Sequence, residues 1–200
     1  MDQGGESGLS PCPECGESPG SSLACLACGA LLEERGDADH FRRLGIAPAA
    51  TVDPDAIEMR YLKLSRLLHP DFQTGKPADV QNRAVSGSAR LNEAYHTLLD
   101  DQQRLEYLLA LLDADALERN KTLAPAFLME SMESSEEIEE ARGEGDNATL
   151  QRLADAMNGA IDTRLARATE QLTGDPDCNA VATLLHETRV FRRMLRDTRP

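Results

Sequence analysis

Two short stretches carry residue types that could do chemistry. "CPEC" at 12–15 and "CLAC" at 25–28 are Cys-x2-Cys pairs separated by nine residues. Two-residue spacing lets both sulfurs of a pair turn toward one ion, and two such pairs complete a tetrahedron of thiolates. Gly16 and Gly29 follow the pairs, where a tight turn toward a metal wants a small residue. Four thiolates leave no open coordination position. Cys12, Cys15, Cys25 and Cys28 therefore predict a structural Zn²⁺ site rather than a catalytic one, with disulfides or an iron centre as the alternatives. A block this short has little core of its own, so the metal should supply its folding energy. Cys178 stands apart, in what reads as an interhelix turn, with no ligand partner.

The second stretch is "YLKLSRLLHPDFQTG" at 61–75. A strongly helical run ends at Pro70, with His69 and Asp71 on either side of the stop. A catalytic pair of this kind needs a nucleophile or metal placed against it, and no serine or cysteine motif supplies one. No enzyme is expected. The helix leading into the tripeptide carries Arg60, Lys63 and Arg66 in a chain of formal charge −14. A basic helix face beside an exposed loop suits docking onto an acidic surface.

The elements that must position these residues are helices. Trp is absent and aromatics make up 4% of 200 residues, so aliphatic and Met side chains must fill the cores. No strand-like alternation of any extent appears, and no apolar run reaches transmembrane length. The N-terminus lacks the basic–apolar pattern of a signal peptide and the Arg-rich look of a transit peptide, so a soluble, cytoplasmic protein is expected, away from any membrane. Charge divides as −5 over 1–36, −2 over 37–112 and −7 over 113–200. A nucleic-acid binder needs a basic footprint; the cysteine block has only Arg35, which argues against nucleic acid as a partner.

Three blocks follow from composition and breaks: a metal-binding module at 1–35, a helical block at 38–112, and a C-terminal block at 120–198. In the middle block Asp53 and Pro54 start a helix with Ile57, Tyr61, Leu64 and Leu68 on one stripe. A second helix over about 78–99 turns Leu91, Ala94 or Tyr95, and Leu98 inward, giving a helical hairpin with the tripeptide at its tip. Gly87 within it has no evident role. Shorter helices flank the hairpin at "HFRRLG", which holds His40, and at "QQRLEYLLALL". The last block reads as a three-helix bundle, with stripes Leu150, Leu153, Met157, Ile161, Leu165, Ala168, Leu172 and Val181, Leu184, Leu185, Thr188, Phe191, Leu195.

"RYLKLSRLLHPDF" followed by "ARLNEAYHTLLDDQQRLEYLL" resembles a J domain over about 75 residues. In that family the His-Pro-Asp loop engages a DnaK-type chaperone and triggers its ATP hydrolysis. The resemblance implies that His69, Pro70 and Asp71 act on a partner's ATPase, and that Arg60, Lys63 and Arg66 face the same partner. Leu67 departs from the pattern, since many J domains carry Lys there.

"PAFLMESMESSEEIEEAR" separates into two helical faces. Phe127, Ser131, Ser134, Ile138 and Ala141 belong to the core; Leu128, Met129, Met132, Glu133 and Glu136 lie on the other side. Three apolar side chains off the core face need a covering helix or a partner, and two are Met, which adapts to partner surfaces. This segment, with "EYLLALL" upstream, resembles the HscB iron–sulfur co-chaperones. Some members of that family also carry a tetracysteine zinc module. The resemblance implies an all-α protein: zinc module, J-domain hairpin, and a three-helix domain that binds an IscU-type iron–sulfur scaffold protein. Leu128, Met129, Met132, Glu133 and Glu136 match its scaffold-binding positions, with a further contact near Val190 or Phe191, of which Phe191 is chosen. The implied function is co-chaperone to an HscA-type chaperone in iron–sulfur cluster biogenesis. The alternative is a general J protein for unfolded clients, against which stands the absence of a DnaJ-type cysteine repeat set and Gly/Phe linker.

Overall fold

Every regular element of the computed structural model is helical. It describes residues 9–34 and 38–199; Arg35 and the first eight residues of the 1–35 module lie outside the described residues. Among the described residues there is no strand, only an isolated antiparallel bridge between Ala24 and Leu31. The helices are α1 (His40–Leu44), α2 (Pro54–Leu68), α3 (Ala78–Leu99), α4 (Asp101–Leu112), α5 (Ala116–Arg119), α6 (Pro125–Glu144), α7 (Asn147–Leu172) and α8 (Cys178–Asp197). A 3₁₀ turn, Pro70–Gln73, joins α2 to α3. The chain divides into two compact units, Met1–Gln103 and Arg104–Pro200, with the division inside α4.

In the first unit the local signals decide the helix ends. Asp53 accepts from the Asp55 N–H and Pro54 occupies the first turn of α2, where its missing N–H costs nothing. Ile57, Leu64 and Leu68 of α2 and Ala84, Leu91, Ala94 and Leu98 of α3 are buried, as the stripes predict. Phe41 and Leu44 of α1 complete this core. Full burial of each large aliphatic stabilises by about 1.5–3 kcal/mol. Tyr61 and Tyr95 stack at 4.2 Å instead of burying, and the Tyr61 hydroxyl donates to Asn92 Oδ1 at 3.0 Å. Gly87 acquires a reason here. A Cβ at that position would stand 2.7 Å from Leu68 Cδ2, so the glycine lets the end of α2 close onto α3.

In the second unit α7 and α8 form the central pair, and α6 packs on both. All seven stripe residues of α7 are buried. Asp146 and Asp177 cap α7 and α8, each accepting from two backbone N–H groups. Phe127, Ser131, Ile138 and Ala141 of α6 are buried, and Ser134 is half-buried. Cys178 is not in a turn but is the first residue of α8, because Asp177 takes the cap position before it. The short α5 was not anticipated. It is tied to α8 by His186 Nε2, 2.8 Å from the Leu117 carbonyl, and by Asn120 donating to Asn179 Oδ1 at 2.9 Å.

Candidate metal centre and two partner-facing surfaces

The cysteines converge. The four Sγ atoms lie within 4.8 Å of one another. The pairs Cys12–Cys28 and Cys15–Cys25 stand at 3.7 and 3.8 Å. That separation is far too long for a disulfide. It matches a tetrahedron with metal–sulfur bonds of about 2.3 Å, whose sulfurs are about 3.8 Å apart. Each knuckle repeats one turn. Gly16 donates to the Cys12 carbonyl and Gly29 to the Cys25 carbonyl, both at 2.8 Å, with φ of +77° and +79°. An L side chain rarely adopts that backbone. Cys12 and Cys25 are buried; Cys15 and Cys28 are exposed. Burial pushes the Cys25 thiol up, but N–H groups of Cys28 and Ala27 outweigh it and bring it down to about 7. The Glu17 N–H pulls Cys15 down, yet desolvation and its neighbour sulfurs carry it up to about 12. Gathered thiols resist ionising together, and a cation at their centre relieves that resistance. The donor set fits a metal ion.

The cysteine module does not stand alone. Glu34, whose side chain is 5% exposed, accepts from Arg43 Nε at 2.9 Å and Ser22 Oγ at 3.1 Å, and pairs with Arg90 at 2.9 Å. Arg60 donates to the Gly20 carbonyl and Arg83 to the Leu31 carbonyl, both at 3.3 Å. The Ser22 N–H donates to the Arg42 carbonyl at 3.0 Å, and Ser21 Oγ to that of Arg43 at 2.6 Å. A Cβ on Gly45, the left-handed cap of α1, would meet the Gly20 carbonyl oxygen at 1.7 Å. The module thus lies against α1, α2 and α3 together. Burial, and then Arg43, hold the His40 imidazole below its usual pKa.

The His69 loop is exposed and held from beneath. His69 ends α2 and its Nδ1 accepts from the Asp71 N–H at 3.3 Å. Asp71 Oδ2 is 3.7 Å from the same nitrogen, and the two side chains are 53% and 87% exposed. With Nδ1 engaged, Nε2 is the ring nitrogen left for a partner. Behind the loop, Gln73 is buried and donates from Nε2 to the Leu67 carbonyl at 2.8 Å. Ser88 Oγ donates to the Leu68 carbonyl at 3.0 Å. These bonds satisfy carbonyls at the end of α2 that have no helical partner.

The basic residues of α2 separate. Lys63 and Arg66 are exposed, while Arg60 is half-buried and turned to the cysteine module. Sequence reasoning passed over Met59, Leu62 and Phe72, exposed at 68%, 58% and 63%. Met59 and Leu62 stand one helical face with Lys63 and Arg66, and their positions off the core stripe were the available signal.

On α6, Leu128, Met129 and Met132 are 44%, 63% and 65% exposed, with Glu133 and Glu136 exposed beside them. Among the described residues of the C-terminal unit, no helix covers that face. Phe191 differs: it is 6% exposed, and its ring meets Phe127 edge-on at 5.4 Å. The Arg164 guanidinium lies 4.6 Å over Phe191 and donates from Nε to Glu187 at 2.7 Å. Its neighbour Val190 is half-exposed. Among the described residues no helix is long and apolar enough to cross a membrane.

Known proteins share this arrangement. The DnaJ domain family model matches residues 39–107, and the HSCB C-terminal oligomerisation domain matches 123–198. The crystal structure of human co-chaperone protein HscB superimposes with a TM-score of 0.76 at 25% identity, covering 94% of this chain and 96% of that one. Chaperone HscB from Vibrio cholerae gives 0.69 at 25% identity, covering 80% and 95%. With a J domain, an HscB C-terminal domain and a tetracysteine module in one chain, the protein belongs to the HscB family of J-domain co-chaperones.

Proposed function

We propose that this protein is a two-ended adaptor in iron–sulfur cluster biogenesis. One end, α6 of the C-terminal unit, holds an IscU-type scaffold protein. The other, the His69–Pro70–Asp71 loop, stimulates the ATPase of an HscA-type member of the DnaK class. The chain performs no catalysis of its own. Holding the scaffold and the chaperone on one chain raises their effective concentration for each other, so a weak scaffold–chaperone contact forms readily and delivery is coupled to hydrolysis.

The observation that carries this reading is the exposed Leu128–Met129–Met132 face on an otherwise acidic helix. A general chaperone adaptor has no need of a fixed apolar patch beside Glu133 and Glu136; a single recurrent partner does. Burying Met and Leu side chains supplies grip, and the two carboxylates bias the choice of partner. Phe191 contributes from beneath, by holding Phe127 and so the seat of α6, while Val190 is the residue of that turn able to touch a partner.

At the other end the loop offers an imidazole nitrogen, a carboxylate and the basic pair Lys63 and Arg66, which suit an acidic docking surface. Pro70 fixes the turn that separates His69 from Asp71. The metal is Zn²⁺, held by four thiolates in a structural role; closed coordination leaves no position for a substrate. Thiols that must stay reduced to hold it fit a reducing compartment, the cytoplasm.

Steady-state ATP hydrolysis by an HscA-type chaperone tests the reading, with this protein, a cluster scaffold, or both. The adaptor gives stimulation by the pair above the sum of each alone. Stimulation indifferent to the scaffold would leave a general J protein. No stimulation of any DnaK-class chaperone would overturn the function.

A further inference from the structure

We infer that the metal module is a brace for the His69 loop, so that the geometry of the loop depends on metal. The inference deepens the proposed function, since it assigns the module a part in chaperone activation.

The brace runs through Leu67. A Cβ on Gly29, the residue after Cys28, would lie 3.4 Å from Leu67 Cδ2, so the second knuckle faces that side chain with room for no more than a methyl group between them. Leu67 is half-buried, two residues before His69. Its carbonyl accepts from Gln73 at the far end of the 3₁₀ turn, and the next carbonyl, that of Leu68, accepts from Ser88. Leu67 thus faces the metal module with its side chain and is tied by its backbone to the loop it leads into. Two turns earlier on the same face, Arg60 reaches the Gly20 carbonyl. Arg60 and Leu67 are seven residues apart, two helical turns, and both face the module. The adjoining edge, Met59, Leu62, Lys63 and Arg66, stays exposed. The module therefore takes one side of α2 and leaves the other to the chaperone.

Metal controls the brace because Gly29 and Gly20 sit in turns that the cysteine cluster closes. Gly29 donates to the carbonyl of Cys25, and the Leu26 N–H donates to that of Pro19, beside Gly20. A segment with so little apolar core keeps these turns only while its four sulfurs share an ion. When they separate, Leu67 loses its neighbour and Arg60 its acceptor, although the Leu91–Leu98 core of α3 is untouched.

The test uses the full chain, reduced, with Zn²⁺ bound or removed by chelation, and reads amide hydrogen exchange by segment. Removal should speed exchange at least about 10-fold over residues 64–73, while α3 near Leu91–Leu98 and helix α7 keep their protection. A Leu67→Ala variant, its metal content confirmed, should speed exchange over 69–73 with the metal in place. It should also lower the maximal chaperone ATPase rate more than it raises the concentration needed for half-stimulation. Loosening confined to residues 9–34, or equal loss over Leu91–Leu98, overturns the inference: the first makes the module a passenger, the second a general folding requirement. Exchange coupling without any ATPase stimulation would sustain the brace and count against the co-chaperone reading alone.

Discussion

On the proposed function the His69 loop and the α6 face are both docking surfaces, but they are built in opposite ways. The loop is polar and irregular. His69 and Asp71 are aimed by a 3₁₀ turn, by Gln73 and Ser88 behind it, and by the glycine at 87 that lets α2 close on α3. The α6 face is apolar and regular. Leu128, Met129 and Met132 need only a helix to present them, and their flexible side chains can repack against a partner. Aim and grip are different physical tasks. A trigger needs a few groups in fixed places and can bind weakly; a holder needs apolar area and tolerates adjustment.

The difference can be broken at either side. The largest effect expected is from His69→Gln, which should bring chaperone stimulation to the basal rate while scaffold affinity, measured calorimetrically, stays unchanged. Loss of scaffold binding in that variant would mean the two surfaces are one. Next is the Leu128/Met129/Met132→Ala triple. Apolar anchors of this type contribute about 1 kcal/mol each once a partner buries them, so scaffold affinity should fall by at least about 100-fold. Melting should hardly move, because these side chains are exposed already.

Phe191→Ala sharpens the contrast between surface and support. A buried aromatic cut to Ala costs about 3–5 kcal/mol of stability. The C-terminal unit should melt earlier, with scaffold binding weakened only through α6. Val190→Ala should do the reverse, sparing stability and weakening binding slightly. If Phe191→Ala weakens binding with no change in melting, Phe191 is itself a contact.

Smallest is a pH effect in the first unit. The folded pKa of His40 lies below its ordinary 6.5, so the unfolded chain takes up the proton first. Its stabilising contribution is present above pH 6.5 and is lost as pH falls from there through the lower folded value. His40→Gln should flatten that part of the stability profile of the Zn²⁺-loaded protein, measured by denaturant unfolding.

Much of this organisation can be read in the chain because it is local. Asp53–Pro54 starts α2, the seven-residue stripe of α7 is wholly buried, and Cys-x2-Cys with a following glycine sets each knuckle. The His-Pro-Asp tip and the unexplained apolar face of α6 were legible for the same reason. What was not legible is what crosses between elements. The cysteine module is fastened by arginines to the carbonyls of Gly20 and Leu31 and through buried Glu34, contacts with no pattern in sequence. Gly87 looked like a flaw in a helix until Leu68 was seen against it. Phe191 had two claims on it, core stripe and partner contact, and only packing separates them: its ring is against Phe127 and under Arg164.

On the proposed function, grip at α6 serves the trigger at His69. The direct measurement is the concentration of this protein needed for half-maximal chaperone ATPase stimulation as scaffold is titrated. In the native protein, saturating scaffold should lower that concentration at least about 10-fold, as linkage of two binding events predicts. In the Leu128/Met129/Met132→Ala variant it should stay where it is without scaffold. An equal drop in both would contradict the account.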